Sequence, residues 1–306
     1  MPKPRLIFLA GPTAVGKSKV AVILAKKLNA EIISCDSMQV YKGMDIITSK
    51  SSSAQRNRVR HHLIDIVEPT KRYNVVKFRK EALKKIKEIL DRGKTPFFVG
   101  GTGLYISILI DGIFTAGYRN ENIRKLLYLE ARRWGNNYLY EKLKESDPEA
   151  AAKIHQNDTK RLIRALEVFK GTGKPISLLQ KERIGLSRDY DIKIFCLNMQ
   201  RHKLKERINR RVDEMFVKGL LSEVDALLKK KLSETAVSAI GIKELKGYFE
   251  GIYSLEEANQ LIKRNTGAYA KRQLTWFRKD KRIKWVNLKG NEAASEAAQK
   301  IWKELY

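Results

Sequence analysis

At 306 residues the chain is long enough to bury a large core in one or two domains, and 43% hydrophobic with 31% charged residues reads as a soluble globular protein. Its 62 Lys and Arg against 34 Asp and Glu leave a formal charge of +28; a lysine-rich or thermophilic surface would carry some excess, but a polyanionic partner, most simply nucleic acid, accounts for it better. Cys35 and Cys196 are isolated, which excludes a disulfide framework or cysteine-based zinc site and fits a reducing cytoplasm, and the opening apolar run is too short for a signal-peptide core or a membrane span.

The first expected strand, residues 6–10, runs directly into GPTAVGKS: Gly11, Pro12, Thr13, Ala14, Val15, Gly16, Lys17 and Ser18. A glycine, four free positions and Gly-Lys-Ser form the phosphate-loop pattern, in which a strand feeds a turn that opens a helix and aims backbone N–H groups at one anion. Lys17 adds a mobile positive charge, and Ser18 a hydroxyl suited to Mg²⁺ beside the phosphates. Val20, Ala21, Leu24 and Leu28 recur at helical spacing behind it, so the match has the right context. Residues 31–35 form a second strand that ends at Asp36, whose carboxylate could ligate Mg²⁺, cap a turn or act as a general base; spacing alone does not choose among these. A third strand is expected at residues 63–67, a helix over 75–90, and a further strand at 96–99 closed by Gly100, Gly101, Thr102 and Gly103. Thr102 could offer its hydroxyl to a phosphate, although a plain tight turn explains the glycines equally well.

Short, fully apolar strands separated by helices predict an α/β fold, a parallel sheet flanked by helices whose chemistry collects at the carboxyl ends of the strands. From 114 to 188 the strand signal disappears and helix-like patterns carry Trp134, Tyr138, Leu143 and Leu166 among Lys and Arg, so an all-helical insertion hangs from one core. A strand returns at 192–197, helices follow at 204–218, 220–230 and 255–279, and a strand at 283–286 precedes a closing helix over 292–305. Arg207 and Arg211 share a face of the first of these helices, where arginine's fork could grip phosphate oxygens; exposed arginines on a solvated helix are equally ordinary. Ile262, Tyr269 and Trp276 fall seven apart and Arg264, Lys271 and Arg278 repeat that step two residues later, which predicts one apolar face and an opposite cationic face suited to a nucleic-acid backbone. His61, His62, His155 and His202 have no ligand spacing and take structural or solvent roles.

Taken together the segments resemble the tRNA isopentenyltransferase (tRNA dimethylallyltransferase) family. The resemblance rests on GPTAVGKS, DSMQVYKGMDI at 36–46, HHLID at 61–65, VGGTGLYI at 99–106, NDTKRLIRALEV at 157–168, RVDEMFVKGLLSEV at 211–224, AIGIKEL at 239–245 and TGAYAKRQLTWFRKD at 266–280, in order along nearly the whole chain. Gln156 stands where proline is expected and Ser18 where many relatives have threonine, and neither change removes a needed group. A zinc-finger extension has no counterpart here, which implies the bacterial form. The resemblance implies a P-loop-like core over 1–113 and 190–306, with the insertion, 114–189, contacting the anticodon stem-loop. It implies transfer of a dimethylallyl group from dimethylallyl diphosphate to N6 of the adenosine just 3′ of the anticodon, position 37 of the tRNA. In that reading the loop holds a diphosphate leaving group with Lys17, Arg211 and Mg²⁺, Thr102 donates to the bridging oxygen, and Asp36 is the base. Asp36, Ser37, Met38, Gln39 and Thr102 would hold the flipped base, and Arg124, Lys160, Arg161, Leu162, Ile163 and Arg164 the RNA. A cytoplasmic monomer is expected. The loop suits ATP equally well, so competing readings are a small-molecule phosphotransferase, a prenyltransferase acting on free adenine nucleotide, and a non-catalytic RNA-binding switch.

Overall fold

Six strands carry the core of the computed structural model, which describes residues 3–113 and 120–306; the expected start of the insertion at 114 lies outside the described residues. In chain order, β1 (Arg5–Ala10) leads into α1 (Lys17–Lys27), and β2 (Ala30–Cys35) is followed by the short α2 (Ser53–Arg58) and β3 (His61–His62). Next come α3 (Val75–Asp91), β4 (Thr95–Gly100) and α4 (Gly103–Asp111). After α5 (Glu121–Ser146), α6 (Pro148–Ala151), α7 (Thr159–Thr172) and α8 (Ile176–Lys181), the sheet resumes with β5 (Asp191–Met199). The chain then runs through α9 (Arg201–Val217), α10 (Leu220–Leu228), α11 (Ile242–Phe249), α12 (Leu255–Phe277), β6 (Ile283–Leu288) and α13 (Ala294–Lys303).

The strands form one sheet in the order β3-β2-β4-β1-β5-β6, every pair parallel. β1 and β2 are buried almost end to end, as strands covered on both faces must be, and Phe8 stacks on Phe98 with ring centroids 4.5 Å apart. Ala10 pairs with both Gly100 and Cys196, and Cys35 pairs with Gly100. That register brings the carboxyl ends of β1, β2 and β4 level, so the loops leaving them, at Gly11, Asp36 and Gly101, start side by side, while β5 runs on to Met199 alongside β6. α3 shows how the layers close: Asn74 caps its first turn, and Phe78, Ala82, Ile86 and Ile89 recur at the helical period and are all buried.

The expected third strand is corrected. Only His61 and His62 pair with β2, because Leu63 and Asp65 take left-handed φ of 61° and 57°, which no strand accommodates. The segment is instead a turn in which the N–H groups of Ile66 and Val67 donate to Val40 O, and the Asp65 carboxylate meets Lys50 and Arg56. The apolar face of α12 is also shifted from the expected heptad: Ile262 is buried, but Trp276 is 38% exposed and Phe277 is buried in its place. Its buried row is Ala258, Ile262, Ala270, Gln273 and Phe277, spaced by the true helical period.

By internal contacts the chain divides into two compact units, residues 1–108 with 189–306, and residues 109–188. The second unit is all-helical. α5 is broken at Gly135, whose φ of 78° interrupts the helical run, and Leu127, Leu139 and Leu143 pack against Leu162, Ile163, Leu166 and Ile176. Two buried acids fix this unit: Asp147 accepts from the N–H groups of Ala150 and Ser177, and Glu167 accepts from Asn120 N–H and binds Arg124 and Arg164. Buried carboxylates of this kind persist only where each oxygen has its donors.

Candidate active site

β1 ends in the phosphate loop, which Ala14 at φ 63° and Gly16 at φ 106° turn tightly into α1. No side chain caps the first turn of α1, so its N–H groups are left for an external anion. Lys17 Nζ curls back over the loop and donates to Gly11 O at 2.9 Å and Pro12 O at 2.7 Å. Burial lowers its pKa to about 8, Asp36 opposes that shift, and Arg211 reinforces it. Two arginines of α9 flank the loop one helical turn apart. Arg211 donates through Nη1 to Thr13 Oγ1 at 3.1 Å and through Nε to Ser49 Oγ at 2.9 Å, while Arg207 donates through Nη1 to Val15 O at 3.2 Å and through Nη2 to Gly290 O at 2.8 Å. Burial pulls Arg211 below the usual guanidinium range, yet it stays charged at neutral pH. Among the described residues Lys17, Arg207 and Arg211 form no salt bridge, and Asp36 acts on Lys17 and Arg211 only through space, so the three cations make a cradle for a polyanion.

The opposite wall begins at Asp36. Its Oδ1 accepts from the N–H groups of Met38 at 2.9 Å and Gln39 at 3.3 Å, so this oxygen closes a turn. Among the described residues Oδ2 has no hydrogen-bond partner. Ser37 N–H donates to Thr102 Oγ1 at 3.1 Å, and Thr102 N–H donates to Cys35 O at 3.1 Å, so the loops after β2 and β4 are stitched together. Gln39 is held between Ser34 Oγ and Thr48 O. Segment 45–50 is fixed from α10, where the Glu223 carboxylate accepts from the N–H groups of Asp45, Ile46 and Ile47 at 2.8–2.9 Å. The loop, Asp36 with Ser37, Met38 and Gln39, α9 and α12 together line a cavity of about 900 Å³.

Among the described residues no group of three His, Cys, Asp or Glu side chains could cage a metal. The cavity does offer hard oxygens, the Ser18 hydroxyl and the Asp36 carboxylate. That sparse set fits Mg²⁺, which keeps several waters and takes its other ligands from phosphate oxygens.

The structure therefore brings together Gly11 through Ser18, Asp36 through Gln39, Thr102 and Arg211. It adds residues that the sequence did not place at the site: Gln273, which accepts from Thr13 N–H and donates to Gly101 O; Tyr269, expected only on an apolar face and here within hydrogen-bonding reach of Thr102 and Gln273; and the supports Ser49 and Glu223. Gln273 carried a signal, an amide inside the buried row of an otherwise apolar helix face. In the helical unit, Lys160 and Arg161 are exposed, and Arg124 and Arg164 are half-buried against Glu167. The expectation that Leu162 and Ile163 meet RNA is corrected for their side chains, which are 0% and 1% exposed in that unit's core. No described helix is long and apolar enough to cross a membrane.

The family model described as IPP transferase matches residues 39–280, and a second, described as isopentenyl transferase, matches residues 4–65. A tRNA dimethylallyltransferase of Carboxydothermus hydrogenoformans is 50% identical over 302 residues, 98% of this chain and 97% of that protein. One from Thermotoga neapolitana is 47% identical, with 98% and 97% covered. Among solved structures, the tRNA isopentenylpyrophosphate transferase of Bacillus halodurans superimposes with a TM-score of 0.73 at 42% identity, covering 99% of this chain and 97% of that one. A eukaryotic dimethylallyltransferase solved acting on tRNA gives a TM-score of 0.82 at 30% identity, covering 99% and 79%. With a family model spanning residues 39–280 and relatives about half identical along 98% of its length, the chain belongs to the tRNA dimethylallyltransferase, or IPP transferase, family.

Proposed function

We propose that the protein transfers a dimethylallyl group from dimethylallyl diphosphate to tRNA, and that the acceptor is N6 of adenosine 37 in the anticodon loop. The observation that carries this reading is one cavity holding an anion cradle of Lys17, Arg211 and the α1 N-terminus opposite a carboxylate, Asp36, with one oxygen unengaged. The allylic C1–O bond of the diphosphate breaks as the C1–N6 bond forms. Negative charge then builds on the departing diphosphate, where Lys17, Arg211 and backbone N–H groups meet it, and Thr102 donates to the bridging oxygen. The exocyclic amine is a weak nucleophile because its lone pair is delocalised into the ring, so alignment matters and the amine proton passes to Asp36 Oδ2. Ser18 and the diphosphate oxygens would hold Mg²⁺, which supplies further charge neutralisation.

The base must leave its stack to reach a cavity at the strand ends, and an unpaired loop makes this cheaper than a duplex does. Ser37, Met38 and Gln39 would receive it, and Arg124, Lys160, Arg161 and Arg164 would contact the RNA backbone. A cytoplasmic monomer accords with this role. Labelled dimethylallyl diphosphate and Mg²⁺ are offered with unmodified tRNA, AMP, or ATP plus small acceptors. Label is expected in tRNA, with a prenyl mass gain on one anticodon-loop adenosine; label in AMP alone, or phosphate transfer from ATP without prenylation, would overturn the proposal.

A further inference from the structure

The cavity contains a buried polar side chain for which the transfer chemistry has no direct use. Gln273 is 6% exposed, sits near the C-terminal end of α12, and its amide is engaged at both ends: Oε1 accepts from Thr13 N–H at 2.8 Å, and Nε2 donates to Gly101 O at 2.9 Å. Thr13 belongs to the phosphate loop and Gly101 precedes Thr102, so one amide spans the two loops that leave β1 and β4. The space for it is specific. A Cβ on Gly101 would lie 2.1 Å from Gln273 Nε2, so only glycine lets the amide approach. Among unbranched side chains of this reach, only an amide both donates and accepts at every pH.

We infer that Gln273 is a positioning residue for the transfer proposed above, setting the separation between the diphosphate cradle and the Thr102 hydroxyl. The inference rests on that reading for its kinetic consequence but not for its structural one. Thr13 is also the residue whose hydroxyl Arg211 grips, and Thr102 the residue whose hydroxyl orders Ser37 N–H beside Asp36. Loss of the amide therefore loosens both sides of the cavity at once while leaving every group that touches substrate in place.

Two near-isosteric variants test this. Gln273→Met removes both hydrogen bonds. Gln273→Glu keeps the acceptor for Thr13 N–H and supplies the donor for Gly101 O only while its carboxyl is protonated. Amide hydrogen exchange in residues 11–18 and 100–106 is measured for each, with β5 and α13 as internal controls for global opening. For Gln273→Met, exchange in both segments is expected to quicken about tenfold with the controls unchanged, and kcat is expected to fall about tenfold, the scale of a buried hydrogen bond lost. For Gln273→Glu, transfer relative to wild type is expected to fall as pH rises, since deprotonation removes the donor; taking the ratio cancels the titration of Lys17. For Gln273→Met the ratio is flat. Wild-type protection of both segments in Gln273→Met, or a pH-independent ratio for Gln273→Glu, overturns the inference. If the wild-type protein fails to prenylate tRNA, the functional reading fails and the exchange measurement alone decides the role of Gln273. If Gln273→Met does not fold, Gln273→Glu at high pH tests the Gly101 bond alone, with faster exchange expected in residues 100–106 and wild-type protection there overturning the inference.

Discussion

Lys17 and Asp36 face one cavity with opposite charge and separable duties; because the Asp36 charge also supports protonation of Lys17, the two are compared well below pH 8. In the absence of an anion, Lys17 releases its proton near pH 8 because burial disfavours its charge. Only the protonated amine attracts diphosphate, so affinity for inorganic pyrophosphate is expected to fall as pH rises through about 8, with proton uptake on binding near and above that pH. Calorimetry in buffers of different ionisation enthalpy measures both quantities, and Lys17→Ala should flatten the pH dependence while reducing transfer by about a hundredfold or more. Asp36→Asn keeps the Oδ1 acceptor that closes the turn onto Met38 and Gln39 and removes the carboxylate proposed as the base. Transfer is expected to fall by about 10²–10⁴ with pyrophosphate affinity preserved; equal loss of both would show that Asp36 shapes the cradle instead. The phosphate-loop residues were legible in the sequence because the pattern is local, every group lying within eight positions. Gln273 stood out only as an amide on an apolar helix face, and its role as a bridge was not legible, since its two partners stand 260 and 172 residues away.

At the scale of elements, the edge strand β3 depends on a buried ion cluster. Glu31 on β2 is 1% exposed and binds His62 Nε2 at 2.8 Å, Arg92 at 2.6 Å and Lys94 at 3.1 Å. Burial alone would raise its pKa, but the hydrogen bonds from Arg92, His62 and Lys94 outweigh it and hold the carboxyl at about 2. Because the folded value lies below the ordinary one, its contribution to stability is present above pH 4.5 and is lost as pH falls toward 2. Glu31→Ala strands three donors; the half-exposed Arg92 and Lys94 recover some hydration while His62 stays buried, so the expected loss is about 2 kcal/mol, less than for a fully buried pair. Urea unfolding at pH 7 and pH 3 measures it, and the difference between variant and wild type should shrink at the lower pH. The turn at 63–67 shows the limit of reading elements from pattern. LIDIV has the composition of a strand, but Lys50 and Arg56 reach Asp65 and draw the backbone into a conformation that the pattern does not encode. α12 was placed correctly, but beyond Ile262 its buried row runs through Ala270, Gln273 and Phe277, to one side of the line that Tyr269 and Trp276 continue, which leaves Trp276 at the rim.

For the whole molecule, the excess of +28 sets the dependence of RNA binding on salt. Retention of tRNA is expected to fall steeply with ionic strength, whereas binding of a small pyrophosphate falls less. Replacing both Lys160 and Arg161 by alanine should weaken tRNA retention and reduce the slope of log affinity against log salt by about one to two, with pyrophosphate affinity unchanged. Filter binding across a salt series measures it; an unchanged slope removes these residues from the interface. Leu162 and Ile163 lie between those two cations and Arg164 in sequence, and a contiguous segment cannot tell which of its members face solvent. The helical period sends that pair into the core.

The sequence by itself determined the alternating architecture, the phosphate loop, the carboxylate at the end of the second strand and the family, because each is written in short-range pattern or in ordered motifs. Tertiary structure alone decided which of these meet. The common register of β1, β2 and β4 levels their carboxyl ends, α9 lays Arg207 and Arg211 across the loop, and α12 inserts one amide between two turns. Pairings across such sequence separations are fixed by how the layers pack, and no local preference of the chain encodes them.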